Sequence, residues 1–320
     1  MDDPREAPGP RPPHPSTRTG EVTLGVDPDA GPEAMLARVR AAQQRGAEPV
    51  GPLDEGGMAT IEMVVDHGLQ RCCARKVIKP HLMDRQRTVG WFIREAQITG
   101  QLDHPHIVPV HTLGVGAAGE LYFTMKLVEG VTFGQRVDML PKGPIEASEL
   151  YELLEVVVKV CDALALAHSR GVVHCDVKPS NVMVGDFGQV YLMDWGVARL
   201  VDTPELDLLG PAEPVASWIG EPASRGVSGT PAFMAPEQAR GEAVDARTDV
   251  FAVGALMFYL LTRRAPYGAG DPRATIEEAR AAQCKSPAEV APANRVPRAL
   301  DRLVARAMAT DPAERFPSVE

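Results

Sequence analysis

Apolar residues follow two different periods along this chain, and the period changes near residue 130. Before that point, short runs rich in β-branched residues predict strands at ATIEMVV (59–65) and RCCARKVI (71–78). The runs HIVPVHTLGV (106–115) and ELYFTMKLV (120–128), joined by a glycine-containing turn, predict two more strands. We therefore expect the region before residue 130 to be mostly β-structure.

Helical spacing occurs once in this β-rich region and dominates the rest of the chain. A helix is predicted near 86–101, where one face carries Phe92, Glu95, Ala96 and Thr99. The amphipathic segment 149–171 predicts a long helix, residues 181–194 predict a hairpin, and three or more helices are expected after residue 231. These periods predict an α+β fold with a small β-rich lobe containing one helix and a larger helical lobe.

The chain begins with a segment of different composition. Residues 1–33 contain eight prolines and few large apolar side chains, so we expect them to be disordered. A short helix is predicted to follow, with Pro32 near its start and Gly46 at its end. We therefore divide the chain into an extension, an N-lobe and a C-lobe, at 1–48, 49–128 and 129–320.

Charge and composition limit the classes of partner. A formal net charge of −10 argues against nucleic acid or an anionic membrane as the main partner. The five cysteines lack metal-binding spacing, which is typical of a protein in a reducing cytoplasm. The longest apolar run, VFAVGALMFYLL (250–261), is too short to span a bilayer and predicts a buried helix. We expect a cytoplasmic protein without membrane contact from these residues, although a longer parent protein could carry a membrane segment beyond residue 320.

Short polar motifs follow one another in a fixed order along the chain. They are DEGGMATI (54–61), CARKVI (73–78), FIREA (92–96), HCDVKPSN (174–181), DWG (194–196), GTPAFMAPEQ (229–238) and TDVFAVG (248–254). In this order they resemble the protein kinase family, and more narrowly the bacterial serine/threonine kinases of eukaryotic type, over about 50–320. The resemblance implies the bilobal kinase fold, ATP and Mg²⁺ as cofactors, and transfer of the γ-phosphate to Ser or Thr of a protein substrate.

The residues that the resemblance assigns to ATP come mainly from the N-lobe. Asp54 and Ala59 stand where the family has glycines, and Asp54 would place a negative charge near the triphosphate. Taken alone, this loop is explained more simply as an ordinary hairpin turn. The resemblance makes Met125 the gatekeeper and Met183 the floor beneath adenine. The implied ATP-binding residues are Asp54, Gly56, Gly57, Met58, Ile61, Ala74, Lys76, Met125, the Lys126 carbonyl, the Val128 amide and Met183.

A lone lysine in a strand is usually solvated, but Glu95 changes the expectation for Lys76. Glu95 shares a helix face with Phe92 and Ala96, so we expect it to point inward. Burying a carboxylate without a cation is costly, and Lys76 is the candidate partner. The alternative is an exposed glutamate on a surface helix. By resemblance, Lys76 binds the α- and β-phosphates and pairs with Glu95.

The octapeptide HCDVKPSN carries three polar side chains at fixed offsets. By resemblance to the kinase catalytic loop, Asp176 orients the substrate hydroxyl and accepts its proton, Lys178 steadies the γ-phosphate, and Asn181 holds a magnesium ion. An Asp and an Asn in one tight loop can face the two ends of a transferring phosphoryl group. Lys178 also points to Ser or Thr substrates rather than to tyrosine.

A literal DFG occurs at 186–188, but DWG at 194–196 is the expected metal-binding motif. The DFG lies in the turn of the predicted hairpin, shortly after Asn181. The DWG follows the second strand of that hairpin, where Asp194 can reach the phosphates. Asp194 is therefore predicted to be the second magnesium ligand, and Trp195 takes the place of the family's phenylalanine.

The C-lobe motifs supply residues that the resemblance assigns to positioning and scaffolding. Thr230 matches the threonine that hydrogen-bonds the catalytic Asp and Lys. Glu237 is expected to pair with Arg315, and Asp249 to brace the catalytic-loop backbone from a buried helix. The family's last helix should continue past Arg315, yet the sequence stops at Glu320, so we expect either a piece of a longer protein or a domain lacking that helix.

Cys175 stands where most of the family has an arginine that binds a phosphorylated activation loop. A neutral thiol is only a weak hydrogen-bond donor, so it cannot replace that arginine. We therefore hypothesise that activity does not depend on a phosphate being read here, even if Ser217, Ser224 or Ser228 are phosphorylated. A small buried side chain is the simpler explanation of Cys175, and redox sensing is the alternative.

Two other functions fit parts of this pattern. A pseudokinase that binds nucleotide as a scaffold or signalling module is favoured by Asp54, Ala59 and Cys175, although the side chains expected around the nucleotide are all present. A small-molecule phosphotransferase shares the Asp–Asn–Asp pattern, but Thr230 and Asp249 favour a protein substrate. The sequence leaves the oligomeric state open.

Overall fold

The computed structural model describes residues 31–45, 47–201, 229–268, 271–282 and 284–320. The expected disorder of the Pro-rich start falls outside the described residues for 1–30, whereas Pro32 and Glu33 are helical. The candidate sites Ser217, Ser224 and Ser228 also lie outside the described residues. The chain divides into two compact units, which are residues 1–48 with 65–71 and residues 49–64 with 72–320.

In the first unit, the predicted short helix is present as α1 (Pro32–Arg45). Pro32 occupies the first helical position, where its missing N–H would have no partner in the helix. The other segment of this unit is a turn, in which Oδ1 of Asp66 accepts the N–H groups of Gly68 (3.0 Å) and Leu69 (3.1 Å). Local hydrogen bonds of this kind are typical of Asp in turns.

A five-stranded sheet in the order β1-β2-β3-β5-β4 forms the N-lobe. Its strands are β1 (Ala47–Glu55), β2 (Ala59–Asp66), β3 (Arg71–Ile78), β4 (Val110–Val115) and β5 (Leu121–Lys126). β1 is not among the strands predicted from the sequence, because Pro49 and Pro52 interrupt its pattern. Both prolines are tolerated because β1 is an edge strand.

The one helix predicted for the N-lobe is present as α2 (Gln86–Gln101). Its buried face carries Phe92, Glu95, Ala96 and Thr99, the four residues expected to share it, together with Ile98. Phe92 packs on Phe123 of β5, with ring centroids 5.1 Å apart. This apolar contact holds the helix against the sheet and so sets the position of Glu95.

The C-lobe is mainly helical. Its described helices are α3 (Phe133–Asp138), α4 (Ala147–Ser169), α5 (Pro236–Arg240), α6 (Ala246–Thr262), α7 (Pro272–Ala281), α8 (Pro287–Val290) and α9 (Arg298–Ala307). The predicted buried helix is α6, in which Phe251, Leu256 and Leu260 are fully buried. No helix in the part of the chain that the structure describes has both the length and the apolar content needed to cross a membrane.

Short strands lie beside the helices of the C-lobe. The predicted hairpin consists of β8 (Val182–Gly185) and β9 (Val190–Leu192), and β6 (Gly130–Thr132) pairs with β8. A separate two-stranded sheet joins β7 (Val172–Val173) to β10 (Arg199–Leu200). The catalytic-loop motif therefore begins directly after β7, and the DWG lies between β9 and β10. The predicted α+β fold, with a sheet-based N-lobe and a helical C-lobe, is confirmed.

Candidate active site

Lys76 and Glu95 meet between the N-lobe sheet and α2. Lys76 lies on β3, where it is the register partner of Phe123 on β5. Its Nζ lies 2.5 Å from Oε1 of Glu95, and Glu95 is only 6% exposed. Because this carboxylate is buried, the ion pair removes what would otherwise be an uncompensated charge. The structure thus brings together the two residues that the sequence pairs.

Asp194 extends this pair to a cluster of three charged groups. Its Oδ1 lies 3.8 Å from Nζ of Lys76, and its side chain is 48% exposed. Gly196 allows the close approach, because a Cβ atom there would lie 3.2 Å from both Oδ1 of Asp194 and Oε2 of Glu95. The carboxylate of Asp194 is therefore open to solvent on one side while it stays next to Lys76.

The charges of this cluster shift one another's pKa values. Burial acts to lower the pKa of Lys76, but the carboxylates of Glu95 and Asp194 more than offset it, so the pKa is raised. Burial raises the pKa of Glu95, and Lys76 offsets part of that rise. The ammonium of Lys76 therefore stays charged at physiological pH, which its predicted role of binding phosphate oxygens requires.

The Asp176 carboxylate is held by three donors. Its Oδ1 accepts the N–H of Thr230 at 2.8 Å, and its Oδ2 accepts Nζ of Lys178 at 2.6 Å and Nδ2 of Asn181 at 3.2 Å. Lys178 also donates to Oγ1 of Thr230 at 2.6 Å. The residues expected to transfer and position the phosphoryl group therefore form one hydrogen-bonded network.

Asn181 is oriented by its own loop. Its Nδ2 also donates to the backbone oxygen of Asp176 at 2.9 Å, and its backbone oxygen accepts the N–H of Met193 at 2.8 Å. Asn181 is 6% exposed. With the amide nitrogen committed in this way, the amide oxygen is the atom left to bind a ligand.

Asp249 fixes the backbone of the catalytic loop from the first turn of α6. This fully buried carboxylate accepts the N–H groups of His174 (2.8 Å) and Cys175 (2.9 Å) and Nε2–H of His168 (2.8 Å). Cys175 has a φ of 65°, which is uncommon for a residue other than glycine. The two backbone bonds to Asp249 hold this loop in a conformation that it would otherwise rarely adopt, and the bond to His168 ties Asp249 to α4.

Trp195 anchors the DWG in the interior. It is 1% exposed, and its ring lies 4.5 Å from the ring of His174. His174 accepts the N–H of Asp176 at Nδ1 (3.2 Å), and its Nε2 lies 3.1 Å from the carbonyl oxygen of Met193, which is the hydrogen-bond pattern of the Nε2–H tautomer. Burial of Trp195 thereby ties Asp194 to the catalytic loop.

The literal DFG lies elsewhere in the fold. Residues 186–188 form the exposed turn between β8 and β9, and Phe187 is 101% exposed. Over the described part of the chain, the carboxylate of Asp186 forms no ion pair. The structure places Asp194, and not Asp186, beside Lys76.

The residues expected around adenine come from both lobes of the fold. Ala74 and Met125 are register partners on β3 and β5, and each is 5% exposed. Ile61 and Val128 are half-buried and pack against the same apolar core. Met183 lies on β8, in the sheet of the C-lobe. Their contacts with adenine stay a prediction.

Lys126 makes a contact that the sequence analysis missed. Its Nζ donates to the Tyr191 hydroxyl at 2.6 Å and lies 4.9 Å from the centroid of that ring. Lys126 ends the N-lobe strand β5, and Tyr191 lies on β9 of the C-lobe. The bond therefore joins the two lobes, and only the tertiary fold reveals it, because the residues are 65 positions apart.

The DEGGMATI segment includes the end of β1, an exposed turn at 56–58 and the start of β2, where Ala59 is buried. Asp54, Gly56, Gly57 and Met58 are all exposed, and Met58 is 40% exposed. The N–H of Gly56 donates to the carbonyl oxygen of Ala59 at 2.9 Å, which closes the turn. This geometry suits an ordinary hairpin and a phosphate-binding loop equally, so the roles of these residues stay a prediction.

Glu237 and Arg315 form the predicted scaffold pair. Nη1 and Nη2 of Arg315 each lie 2.8 Å from one carboxylate oxygen of Glu237, which is a bidentate arrangement. Oε1 of Glu237 also accepts the Thr248 hydroxyl at 2.8 Å. Both charged side chains are buried, so the pair connects the segment after Thr230 to the end of the described chain.

Cys175 is a buried thiol in an apolar cluster with Val173 and Val244. Burial raises its pKa well above the usual value, so the thiol stays protonated, as expected for a structural rather than a redox-active cysteine. Two arginines that the sequence analysis did not single out lie close enough to interact electrostatically with it, namely Arg94 and Arg199. Burial and the charge of Arg199 lower the pKa of Arg94.

Comparison with known proteins extends these observations. Residues 48–320 match the family described as "Protein kinase domain". Serine/threonine-protein kinase PknD of Protochlamydia amoebophila (strain UWE25) is 33% identical over 281 residues, covering 84% of this chain and 28% of that protein. The proteins of the same name from Chlamydia abortus (strain DSM 27085 / S26/3) and Chlamydia caviae (strain ATCC VR-813 / DSM 19441 / 03DC25 / GPIC) are 34% and 33% identical, each with 29% of its length covered.

The chain spans less than a third of the length of these curated relatives. Its own family match, by contrast, covers nearly all of the chain after the extension. Within that match the structure brings together Lys76, Glu95 and Asp194 in one cluster and Asp176, Lys178, Asn181 and Thr230 in another. The chain belongs to the protein kinase family.

Proposed function

We propose that this protein transfers the γ-phosphate of ATP to Ser or Thr hydroxyls of protein substrates. The observation that carries the proposal is the Asp176 carboxylate, which three donors orient in a network with Lys178 and Thr230. A carboxylate fixed in this way can accept a proton from one hydroxyl in a defined position. Such general-base assistance is worth roughly 10²–10⁴-fold in rate.

In this mechanism, each residue acts through its charge or its hydrogen bonds. Asp176 orients the acceptor hydroxyl and takes its proton as the oxygen attacks the γ-phosphorus, and the leaving group is ADP. Lys178 and Lys76 are cations that offset the negative charge of the phosphate oxygens. Glu95 holds Lys76 in place through their 2.5 Å contact. Positioning and charge neutralisation supply most of the remaining rate enhancement.

The residues present fit a magnesium ion bound together with nucleotide phosphates. Mg²⁺ prefers oxygen ligands and is usually held by one or two protein groups plus phosphates and water. The half-exposed carboxylate of Asp194 and the uncommitted amide oxygen of Asn181 are such ligands. No cluster of three or more His, Cys, Asp or Glu in the described ranges could hold a metal alone, which agrees with a site completed by phosphates. When bound, the ion neutralises the charge of the phosphate oxygens.

A hydroxyl of Ser or Thr is the proposed acceptor because of Lys178 and Thr230. The Lys178 ammonium lies 2.6 Å from both Oδ2 of Asp176 and the Thr230 hydroxyl. It is therefore next to the carboxylate that is proposed to bind the acceptor hydroxyl. The adenine site is proposed at Ala74, Met125, the Lys126 carbonyl, the Val128 amide and Met183. The boundary between the lobes is proposed at residues 128 and 129.

The direct test is transfer of labelled phosphate from ATP to a generic basic protein in the presence of Mg²⁺. Wild-type protein should label the acceptor on Ser or Thr, and Asp176→Ala should reduce the rate by at least about 10²-fold. A thermal shift with MgATP, repeated on Lys76→Met, reports nucleotide binding separately. Labelling of tyrosine alone, or equal rates for Asp176→Ala and wild type, would contradict the proposal.

The second candidate is a pseudokinase that binds nucleotide without transferring phosphate. It is favoured by the exposed loop at 54–58, where Asp54 places a carboxylate beside the proposed triphosphate site. The two functions differ in one result: a pseudokinase gives a thermal shift with MgATP but no labelled acceptor. Replacing Asp54 by Gly would strengthen ATP binding in either case by removing a like charge.

We further propose that turnover does not require a phosphorylated residue of the activation loop to bind at Cys175. Its protonated, buried thiol offers neither charge nor a strong donor to a phosphate. Replacing Ser217, Ser224 and Ser228 together by Ala should leave kcat within about threefold of wild type. A loss of about 10²-fold would contradict this proposal and would point to binding of a phosphorylated serine by the nearby Arg94 and Arg199.

A further inference from the structure

The turn between β8 and β9 presents an aromatic side chain entirely to solvent. Phe187 is 101% exposed and lies at φ 57° and ψ 29°, in the left-handed region. Gly188 follows it at φ 74°. Asn, Asp and Gly adopt this conformation readily, whereas a bulky side chain there is uncommon. Folding stability therefore does not explain why a phenylalanine occupies this position.

The turn lies against an exposed stripe of α4. Nζ of Lys159 donates to the carbonyl oxygen of Gly188 at 3.0 Å, which fixes the turn to the helix. Lys159 follows Val158, which is 59% exposed, and Tyr151 lies two helical turns before Val158 and is 65% exposed. Residues at this spacing lie on the same face of a helix. The turn that carries Phe187 is thus joined to α4 next to a helix face that exposes two more large apolar side chains.

The same surface is acidic. Glu155 and Asp162 lie on the α4 stripe with Tyr151 and Val158, and Asp186 precedes Phe187 in the turn; all three carboxylates are exposed. None of them takes part in an ion pair with the residues that the structure describes. The cation next to Val158, Lys159, is engaged with the turn. An apolar surface surrounded by unpaired carboxylates is complementary to a basic, apolar segment.

We propose that this surface, formed by Phe187, Val158 and Tyr151 with Glu155, Asp162 and Asp186, docks a basic and apolar linear segment of the protein substrate. We refer to it as the Phe187 surface. The inference rests on the proposed function, because the partner is a substrate of the kinase. Phe187 inserts among the apolar side chains of the segment, and the carboxylates pair with its Lys or Arg residues. Docking there raises the local concentration of the acceptor at the active site.

The Phe187 surface is separate from the groups that perform the chemistry. Phe187 is fully exposed in the turn before β9, whereas Asp194 follows the other end of that strand. Substitutions in the turn should therefore leave transfer to a short acceptor peptide unchanged. Their effect should be confined to partners that carry the docking segment.

The test measures binding of fluorescein-labelled peptides to the full chain by fluorescence anisotropy. The peptides lack Ser, Thr and Tyr and combine basic or acidic charge with apolar or polar side chains. The basic, apolar peptide should bind about tenfold more tightly than each of the others. Phe187→Asn, whose new side chain suits the left-handed conformation, should weaken this binding at least about fivefold and leave the Tm unchanged or higher.

Matched variants separate the two parts of the surface from general effects. Val115→Asn removes an apolar side chain that is 67% exposed on β4 and should not change peptide binding. Asp186→Lys combined with Glu155→Lys should remove most of the salt dependence of binding. Asp176→Ala should abolish phosphate transfer but retain peptide binding. Absence of phosphate transfer by the wild-type protein would count against the proposed function. Absence of peptide binding by the wild-type protein would count against the docking surface alone.

Three results would overturn the inference. The first is equal affinity of wild type and Phe187→Asn for the basic, apolar peptide. The second is tighter binding of an acidic or a polar peptide. The third is concentration-dependent dimerisation, measured by sedimentation velocity, that Phe187→Asn removes, since the surface would then bind a second copy of this chain.

Discussion

Two tripeptides of this chain differ in a single residue and have opposite environments. DFG at 186–188 and DWG at 194–196 lie at the two ends of β9. Phe187 is 101% exposed and Trp195 is 1% exposed. Asp194 lies 3.8 Å from Nζ of Lys76, whereas no cation is paired with Asp186 in the described part of the chain. The chemistry of an Asp–aromatic–Gly tripeptide is therefore set by what surrounds it.

The comparison also separates two uses of backbone strain. Asp194 and Phe187 both have positive φ, at 62° and 57°. At Asp194 the conformation is over-determined by its neighbours, because Trp195 packs on His174 and Gly196 allows Glu95 to approach. Among the described residues, the turn of Phe187 is held by its backbone hydrogen bonds and by Lys159. The strained backbone at Asp194 is thus fixed by packing in the proposed catalytic centre, whereas that at Phe187 lies in the proposed docking surface.

The largest contrast should appear in stability. Trp195→Ala should lower the free energy of unfolding by about 3–5 kcal/mol, because it empties a closed site in the core. Phe187→Ala should change it by no more than about 0.5 kcal/mol. Urea denaturation of both variants measures the difference. Similar losses for the two substitutions would contradict the assignment of buried and exposed roles.

A conservative substitution at Trp195 makes the two tripeptides identical in sequence. Trp195→Phe changes 194–196 to DFG and also removes the buried Nε1–H, which has no hydrogen-bond partner among the residues that the structure describes. Relief of that group offsets part of the lost packing, so the variant should lose less than half the stability lost by Trp195→Ala. It should also keep phosphate transfer. Loss of all activity would show that Trp195 does more than fill space.

The next contrast is catalytic. Asp194→Asn should lower kcat for phosphate transfer by about 10²–10³-fold, because a neutral amide lacks the negative charge with which Asp194 is proposed to bind Mg²⁺. Asp186→Asn should leave kcat within about twofold of wild type. Initial rates at saturating MgATP measure both. The reverse ranking would contradict the placement of the active site.

The cluster around Asp194 should also depend on Glu95. Glu95→Gln removes the charge that holds Lys76, and kcat/KM for ATP should fall at least about tenfold. The matched control is Glu62→Gln, which breaks an ion pair with Arg75 at 2.6 Å on the same sheet. That pair lies outside the site, so kcat/KM should be unchanged. Equal effects of the two substitutions on kcat/KM would contradict the proposal that Glu95 holds Lys76 in place for ATP.

The smallest effect is expected in β9 itself, the strand that joins the two tripeptides. Tyr191→Phe deletes the hydroxyl that accepts Nζ of Lys126 at 2.6 Å. KM for ATP should rise about threefold, because the bond joins the last strand of the N-lobe to the C-lobe. Lys126→Met should give the same change, and the double variant should give no more than either single one. Additive effects would show that the two side chains act independently.

The sequence was sufficient to predict contacts in which a buried charge requires a partner of opposite charge. An inward Glu95 requires a cation, and Lys76 is 2.5 Å away. The order of motifs likewise predicted the α+β fold and the family. The choice of Asp194 over the literal DFG came from position in a predicted hairpin, and the structure has that hairpin.

Other features could not be read from the sequence because they depend on long-range packing. The Lys126–Tyr191 bond, the approach of Arg94 and Arg199 to Cys175 and the strand β1 have no local signal. Exposure of Phe187 was equally hidden, since a phenylalanine in an apolar hairpin is more often buried. Local chemistry was thus easier to predict than the surface around it.

The most direct test is the Mg²⁺ dependence of ATP binding in two variants, measured by isothermal titration calorimetry. The account predicts that wild type and Asp186→Asn bind ATP more tightly when Mg²⁺ is added, and that Asp194→Asn loses most of this gain. If Asp186→Asn lost the Mg²⁺ effect while Asp194→Asn kept it, the proposed catalytic centre would be wrong.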